Sequence, residues 1–188
     1  MQQSDKRRAI LQAALELFAE QGFHGAPTSQ LAQKAGVGVG TLYRYFKDKD
    51  DLIRDLYRMV REDAMQQIFT EVPGQTPIQE RYQLIMTRML QFFLKNPLQF
   101  RFMEQYYFSP FSAGEQDCEP PETHETLHRL LLAAREERIV KQAPLAVLQA
   151  LAYGPIVALA KEHNNRNLPV DEEMVRQTVE ASWDGLTR

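Results

Sequence analysis

Residues Lys34–Lys49 read KAGVGVGTLYRYFKDK, with Gly36, Gly38 and Gly40 running into a block of tyrosines and cations. Glycines so spaced serve either a loop that cradles a nucleotide phosphate or a turn that aims a helix at DNA, and the choice decides the fold. A dinucleotide fold requires G-x-G-x-x-G directly after a buried strand, with the third glycine letting helix and strand pack closely. Here the spacing is G-x-G-x-G, and the preceding segment, TSQLAQKA, is polar and helix-forming. A Walker loop closes on Gly-Lys-Ser/Thr, whereas Gly40 is followed by Thr41 and Leu42. Both phosphate loops fail on context.

A helix-turn-helix asks for a small residue where two helices cross, a glycine of positive φ at the turn, and an apolar anchor beyond it. Ala32, Gly36 and Leu42 meet these demands in order, and Leu31, Val37 and Phe46 complete a small core. The helix carrying Ile10, Ala14, Leu17 and Phe18 supplies its floor. With Leu42 and Phe46 turned inward, Val39, Gly40, Thr41, Tyr43, Arg44 and Tyr45 face outward, followed by Lys47 and Lys49. Thr41 and Tyr43 offer hydroxyls to phosphate, and Arg44 can pair with guanine or phosphate. Lys49 starts the next helix, where its ammonium would join that helix's free amides against the DNA backbone. Thr28, opening the preceding helix, would anchor a phosphate across the groove. Val39 offers methyl groups to thymine, and Gly40 lets the backbone approach closely.

Around this stretch nearly everything reads as helix, with no alternating strand pattern and no internal repeat. A first helix behind Ser4 as N-cap ends at Gly22, a second opens at Pro27-Thr28 and stops at Gly36, and a third starts near Gly38. Asp48 caps a fourth, with Asp50 and Asp51 at its positive end and a stripe of Leu52, Leu56, Val60, Ala64 and Ile68. The breakers in VPGQTP, Val72–Pro77, mark the expected linker. Further helices are expected over 78–95, 98–108, 122–140, 145–164 and 171–186, with a loop at 108–121. The fold class is all-α.

The run AALELFAEQGFHGAPTSQLAQKAGVGVGTLYRYFKDKDDL, Ala13–Leu52, resembles the DNA-binding domain of the tetracycline-repressor (TetR) family, with its G-T-L-Y-x-Y-F-x-x-K-x-x-L core intact. That resemblance implies an Ω-shaped helical homodimer with two recognition helices in successive major grooves and a C-terminal ligand domain. It places family DNA contacts on Thr28, Ser29, Val39, Gly40, Thr41, Tyr43, Tyr45 and Lys49. Gly38 departs from the pattern, because members often carry the better cap Ser there. Val39 and Gly40 also depart, being apolar and small where polar base readers are often found. The expected division is 1–50 for DNA binding and 51–188 for ligand binding and dimerisation.

Beyond Val72 no nameable motif governs. The window Met86–Phe111 concentrates methionines and aromatics, and Met86, Met89, Phe92, Phe93, Phe102, Met103, Tyr106 and Tyr107 are read as an adaptable apolar pocket for an aromatic or lipid-like effector. Two closing helices form a dimerisation pair: Leu148, Leu151, Ala152, Pro155, Ile156 and Leu159 on one, Val175, Thr178, Val179, Ser182, Trp183 and Leu186 on the other. His124-Glu125-Thr126-Leu127-His128 matches H-E-x-x-H, the pattern of zinc peptidases. Such enzymes need a third ligand and a substrate-holding strand, for which the sequence offers only Glu162 and His163, so no metal and no cofactor are expected.

Net charge is −3, which alone disfavours a polyanion partner, but its distribution is uneven. Residues 1–49 hold seven Lys/Arg against four Asp/Glu, while the rest of the chain holds fifteen against twenty-one. A basic head on an acidic body limits DNA contact to the head. No apolar run reaches the ~20 residues of a membrane span, and the N-terminal MQQSDKRR lacks the apolar core of a signal peptide. The single cysteine, Cys118, fits a reducing cytoplasm. The expected protein is a cytoplasmic, homodimeric repressor that leaves a palindromic operator when a small apolar or aromatic effector binds. The alternatives are a metal-dependent hydrolase built on His124, Glu125 and His128, and a helical binding protein without DNA recognition.

Overall fold

Glycine and aspartate set the helix ends around the opening stretch. A computed structural model of the chain describes residues 3–70, 76–114 and 124–187, and all regular structure among them is helical. In order these are α1 (Gln3–Gly25), α2 (Thr28–Lys34), α3 (Val39–Tyr45), α4 (Lys49–Phe69), α5 (Ile78–Lys95) and α6 (Pro97–Tyr107). A 3-10 turn (Pro110–Gly114) is followed by α7 (His124–Glu136), α8 (Leu145–Arg166) and α9 (Glu172–Thr187). Regular geometry in α1 breaks where expected, at Gly22, with φ 74° and ψ 170°. Ser4 lies inside α1 instead of capping it, and its side chain is outside the described residues. Most of Val72–Pro77, Cys118 and residues 115–123 of the expected loop also lie outside them.

Gly36 adopts φ 67°, the left-handed conformation that the turn demands, and Val37 N–H closes back onto the Ala32 carbonyl at 2.9 Å. α3 starts on extended Gly38, whose carbonyl accepts from Thr41 and Leu42 N–H and which supplies no side-chain cap. α4 is capped as the sequence implies: Asp48 Oδ1 accepts from Asp51 N–H at 2.8 Å, and Asp51 Oδ2 accepts from Lys47 N–H at 3.0 Å.

The chain packs as two compact units, Met1–Asp63 with Asn96–Cys118, and Ala64–Lys95 with Glu119–Arg188. In the first, α1 is buried around most of its circumference, Ile10, Leu11, Ala14, Leu15, Leu17 and Phe18 all lying inside. Its remaining face, carrying Arg8, Gln12 and Glu20, stays in solvent. α2 covers one flank of α1 and α6, from the middle of the chain, covers another. Phe102 stacks on Phe18 at 6.5 Å, and Tyr106 lies parallel to Tyr57 with centroids 3.8 Å apart. Phe23 and Phe111 meet edge to face at 5.6 Å beside them. The unit around the helix-turn-helix therefore takes in α6 as well as the first fifty residues.

In the second unit α5 packs against α7, α8 and α9. Asp171 caps α9, accepting from Met174 N–H at 2.8 Å, and Lys141 closes its other end by donating from Nζ to the Gly185 carbonyl. At the centre, fully buried Tyr82 shares a hydrogen bond with Ser182 at 2.9 Å and lies 5.0 Å from the Trp183 ring. Burial pushes the Tyr82 phenol up to about 12, against the smaller opposing effect of Ser182. A phenol held neutral in the fold but free to ionise near pH 10 when unfolded contributes stability that is intact below pH 10 and lost as pH rises toward 12. Tyr82→Phe should cost about 1 kcal/mol at pH 8, the net value of a hydrogen bond. By pH 11 the wild type should have lost roughly 1.4 kcal/mol relative to the variant, so that the two become about equal. Urea melts at both pH values check this, and a constant difference would contradict it.

Candidate nucleic-acid interface

The second helix of the turn is locked by two side chains. Leu42 and Phe46 are fully buried, and Val37, Ala35 and Tyr45 pack against the same core. At helical spacing this fixes which side of α3 looks out. Val39 is 42% exposed and Tyr43 49%, and Gly40, Arg44 and Lys47 lie exposed alongside them. Ser29 is exposed, and Thr28 and Thr41 are half-buried. Tyr45 is turned partly into the core, so its ring packs and only its edge reaches solvent.

At Gly40 no described residue beyond its own helical turn lies within 4 Å of the space a β-carbon would fill. A glycine inside a helix costs about 1 kcal/mol relative to alanine. No internal contact of the described residues requires that cost.

Charges near α3 divide into spent and free. Lys34 pairs with Glu16 at 2.8 Å, holding α2 to α1, and this bond together with Gln12 keeps the Glu16 carboxyl below the usual carboxylate range. Arg7 pairs with Asp55 at 2.6 Å and lies over the Phe46 ring, tying the start of α1 to α4. Arg44 and Lys47 have exposed side chains with no ion-pair partner among the described residues. Lys49 is placed differently from its expected outward position. It is half-buried, its Nζ donates to the Ala26 carbonyl at 2.5 Å and lies 5.7 Å from the Phe18 centroid, and burial pushes its pKa down.

The residues read as one pocket are all described, and each is placed within its own unit. Phe102, Met103 and Tyr106 belong to the aromatic core around α1 and α4, while Met86, Met89, Phe92 and Phe93 are buried in the second unit on α5. Tyr107 is 73% exposed. Aromatic and methionine side chains serve a packed core as readily as a ligand cavity, and here the core that α6 forms with α1 and α4 takes in three of the eight.

The dimerisation residues also need correction. Leu148, Ala152 and Ile156 on α8, and Val175, Val179, Ser182, Trp183 and Leu186 on α9, are buried within the protomer. Trp183, which the sequence left without a partner, meets Tyr82. Of the expected set only Leu151, Pro155, Leu159 and Thr178 retain exposed surface. With Ala158, Met174, Gln177 and Ala181, three of these four (Pro155, Leu159 and Thr178) line an open groove along α8 and α9. The sequence signal for this face is its run of small residues one helical step away from the buried stripe. By length and composition alone α8 passes a test for a membrane span that core helices of soluble proteins also pass, and 22% of its apolar window is buried in the chain.

The hydrolase alternative gains no support. His124 and Glu125 side chains lie outside the described residues, His128 is half-buried, and His163 Nδ1 is engaged with the Leu168 carbonyl at 2.7 Å. Among the described residues no three His, Cys, Asp or Glu side chains converge.

Comparison with known proteins converges on one family. Residues 10–56 match the family described as bacterial regulatory proteins, tetR family, and residues 77–187 match the tetracyclin repressor-like C-terminal domain. The chain is 30% identical over 87 residues to a fatty acid metabolism regulator protein of Bacillus subtilis, covering 46% of this chain and 45% of that one. It is 28% identical over 151 residues to the transcriptional repressor KstR of Rhodococcus jostii, covering 80% and 69%. The chain thus spans less than half of the first relative's length. Among solved structures, a TetR-family transcriptional regulator of Vibrio parahaemolyticus is 29% identical with a TM-score of 0.77, covering 97% of this chain and 99% of that one. A TetR-family regulator of Marinobacter aquaeolei shares the fold at a TM-score of 0.83 and 20% identity, covering 97% and 96%.

Proposed function

The chain belongs to the tetR family of bacterial regulatory proteins, and we propose that it is a cytoplasmic homodimeric repressor that holds a palindromic operator and releases it when a small apolar effector binds. The single observation that supports DNA binding most strongly is the outer face of α3, where Val39, Gly40, Tyr43 and Arg44 are exposed while Leu42 and Phe46 fix the helix from behind. Arg44 reads guanine or grips phosphate, Tyr43 and Thr41 bond phosphates, and Thr28 and Ser29 hold the opposite backbone. Gly40 brings the helix backbone against the bases. Residues 1–50 carry this role, and 51–188 carry effector binding and dimerisation through the open face of α8 and α9.

Two recognition helices must meet half-sites about 34–36 Å apart, so a shift of a few Å weakens both contacts at once. An effector that prefers a different setting of α4 produces that shift. Met86, Met89, Phe92 and Phe93 are the pocket-lining candidates, as all four are buried on α5, outside the helix-turn-helix core. The relative named for fatty acid metabolism makes a fatty-acyl compound the first effector to try.

Fluorescence anisotropy with DNA from upstream of the gene tests the reading. The protein should bind in the specific range of about 10⁻⁸–10⁻¹¹ M, and an acyl or aromatic compound should displace it. Binding no tighter than to unrelated DNA would overturn it.

A further inference from the structure

The leading edge of α3 is apolar where it is most open. Val39, its first residue, is 42% exposed, Gly40 follows, and Tyr43 stands one turn on at 49%. Thr41 brings the one polar side chain to this first turn. It is half-buried, and its hydroxyl lies 3.9 Å from where a β-carbon on Gly38 would stand, turned back over the helix start. The exposed cations Arg44 and Lys47 come later in the chain.

Sequence is read at the base edges, and the side chains that reach them decide which bases fit. In the major groove guanine, adenine and cytosine present donors and acceptors, whereas thymine adds a C5 methyl group. Val39 can satisfy no donor and no acceptor. A cytosine amino group set against it would lose water and gain no partner, at a net cost. A thymine methyl group set against it is buried at a gain. Gly40 makes the room for that contact. No described residue beyond its own turn comes within 4 Å of a β-carbon built there, so a methyl-sized space lies open beside Val39. The two methyl groups of Val39 form its wall and the Gly40 backbone its floor.

We propose that Val39 and Gly40 are the specificity-determining pair of α3, and that each operator half-site sets a thymine C5 methyl group against them. The proposal rests on the DNA-binding reading above and names the kind of base that the start of the helix selects.

Deoxyuridine removes that methyl group and leaves base pairing intact. In the upstream DNA that the protein protects, each thymine is replaced in turn by deoxyuridine and the affinity measured by anisotropy. One thymine in each half-site should lose about fourfold, the worth of one buried methyl group, and the symmetric pair roughly fifteenfold. Val39→Ser should melt as wild type does and bind the thymine and deoxyuridine duplexes equally. Arg44→Met, changed on the same helix away from the notch, should keep the methyl effect. Gly40→Ala should melt higher, as replacing an exposed helical glycine does, yet bind the operator about tenfold more weakly because its β-carbon fills the notch. A methyl effect that persists in Val39→Ser, that vanishes equally in Arg44→Met, or that no thymine shows would overturn the proposal, and so would a Gly40→Ala variant that binds as wild type does. If the wild type does not prefer the upstream DNA to unrelated DNA, the DNA-binding reading itself fails and this proposal with it.

Discussion

Phe46→Ala should unfold the helix-turn-helix and abolish operator binding. Phe46 is fully buried at the end of α3, where the backbone leaves helical geometry at φ −131° and turns toward α4. Its ring closes the small core made by Leu31, Ala32 and Leu42, and Arg7 lies over it at 5.6 Å. Removing a buried phenylalanine ring costs about 3–5 kcal/mol, from lost transfer energy and the cavity left behind. That is a large share of the ~5–15 kcal/mol that holds a domain together. The same ring orients the outer face of α3, so thermal melting and operator affinity should fall together. A melting temperature within a degree or two of wild type would show that the core is not built around this ring.

Ala158→Glu should convert a dimer to a monomer without harming the fold. Ala158 is exposed on α8 and lines the groove with Pro155, Leu159 and Thr178. In an isolated protomer a glutamate there points to water and changes stability by less than about 0.5 kcal/mol. In a two-fold interface the same carboxylate is desolvated twice, a cost that Lys161, three residues along the same groove, offsets only in part. Sedimentation equilibrium should show a folded monomer that melts lower than the wild type only by the stabilisation dimerisation lends. Operator affinity should fall to the level of unrelated DNA, because specific binding depends on two half-sites held together. A variant that remains dimeric would place the interface elsewhere.

The legible parts of this chain were those decided by neighbours in sequence. Gly36 fixes a turn by its own φ, Asp48 and Asp171 cap the helices that follow them, and the stripe from Leu52 to Ile68 is buried throughout. The limits of α5 follow from its pattern alone, Ile78 to Lys95. What the sequence left open depends on partners far along the chain. α8 is apolar on more than one side, so its pattern cannot distinguish the stripe Leu148, Ala152, Ile156 and Ala160, which faces inward, from the small residues beside it that stay open. Phe102 and Tyr106 look like ligand contacts until α6 is seen to lie on α1, where they stack with Phe18 and Tyr57. The half-buried setting of Lys49 was illegible for a related reason. A four-carbon stem lets the ammonium fold back as easily as reach out, and only the position of the Ala26 carbonyl decides between them.

Hydroxyl-radical footprinting of the dimer on DNA upstream of its gene tests the central claim most directly. A regulator that sets two α3 helices in successive major grooves should protect two symmetric half-sites on one face of the duplex, centred about 34–36 Å apart. That protection should fade as salt rises and disappear with Phe46→Ala. Uniform or absent protection under low-salt conditions, with Arg44→Met indistinguishable from wild type, would contradict the account.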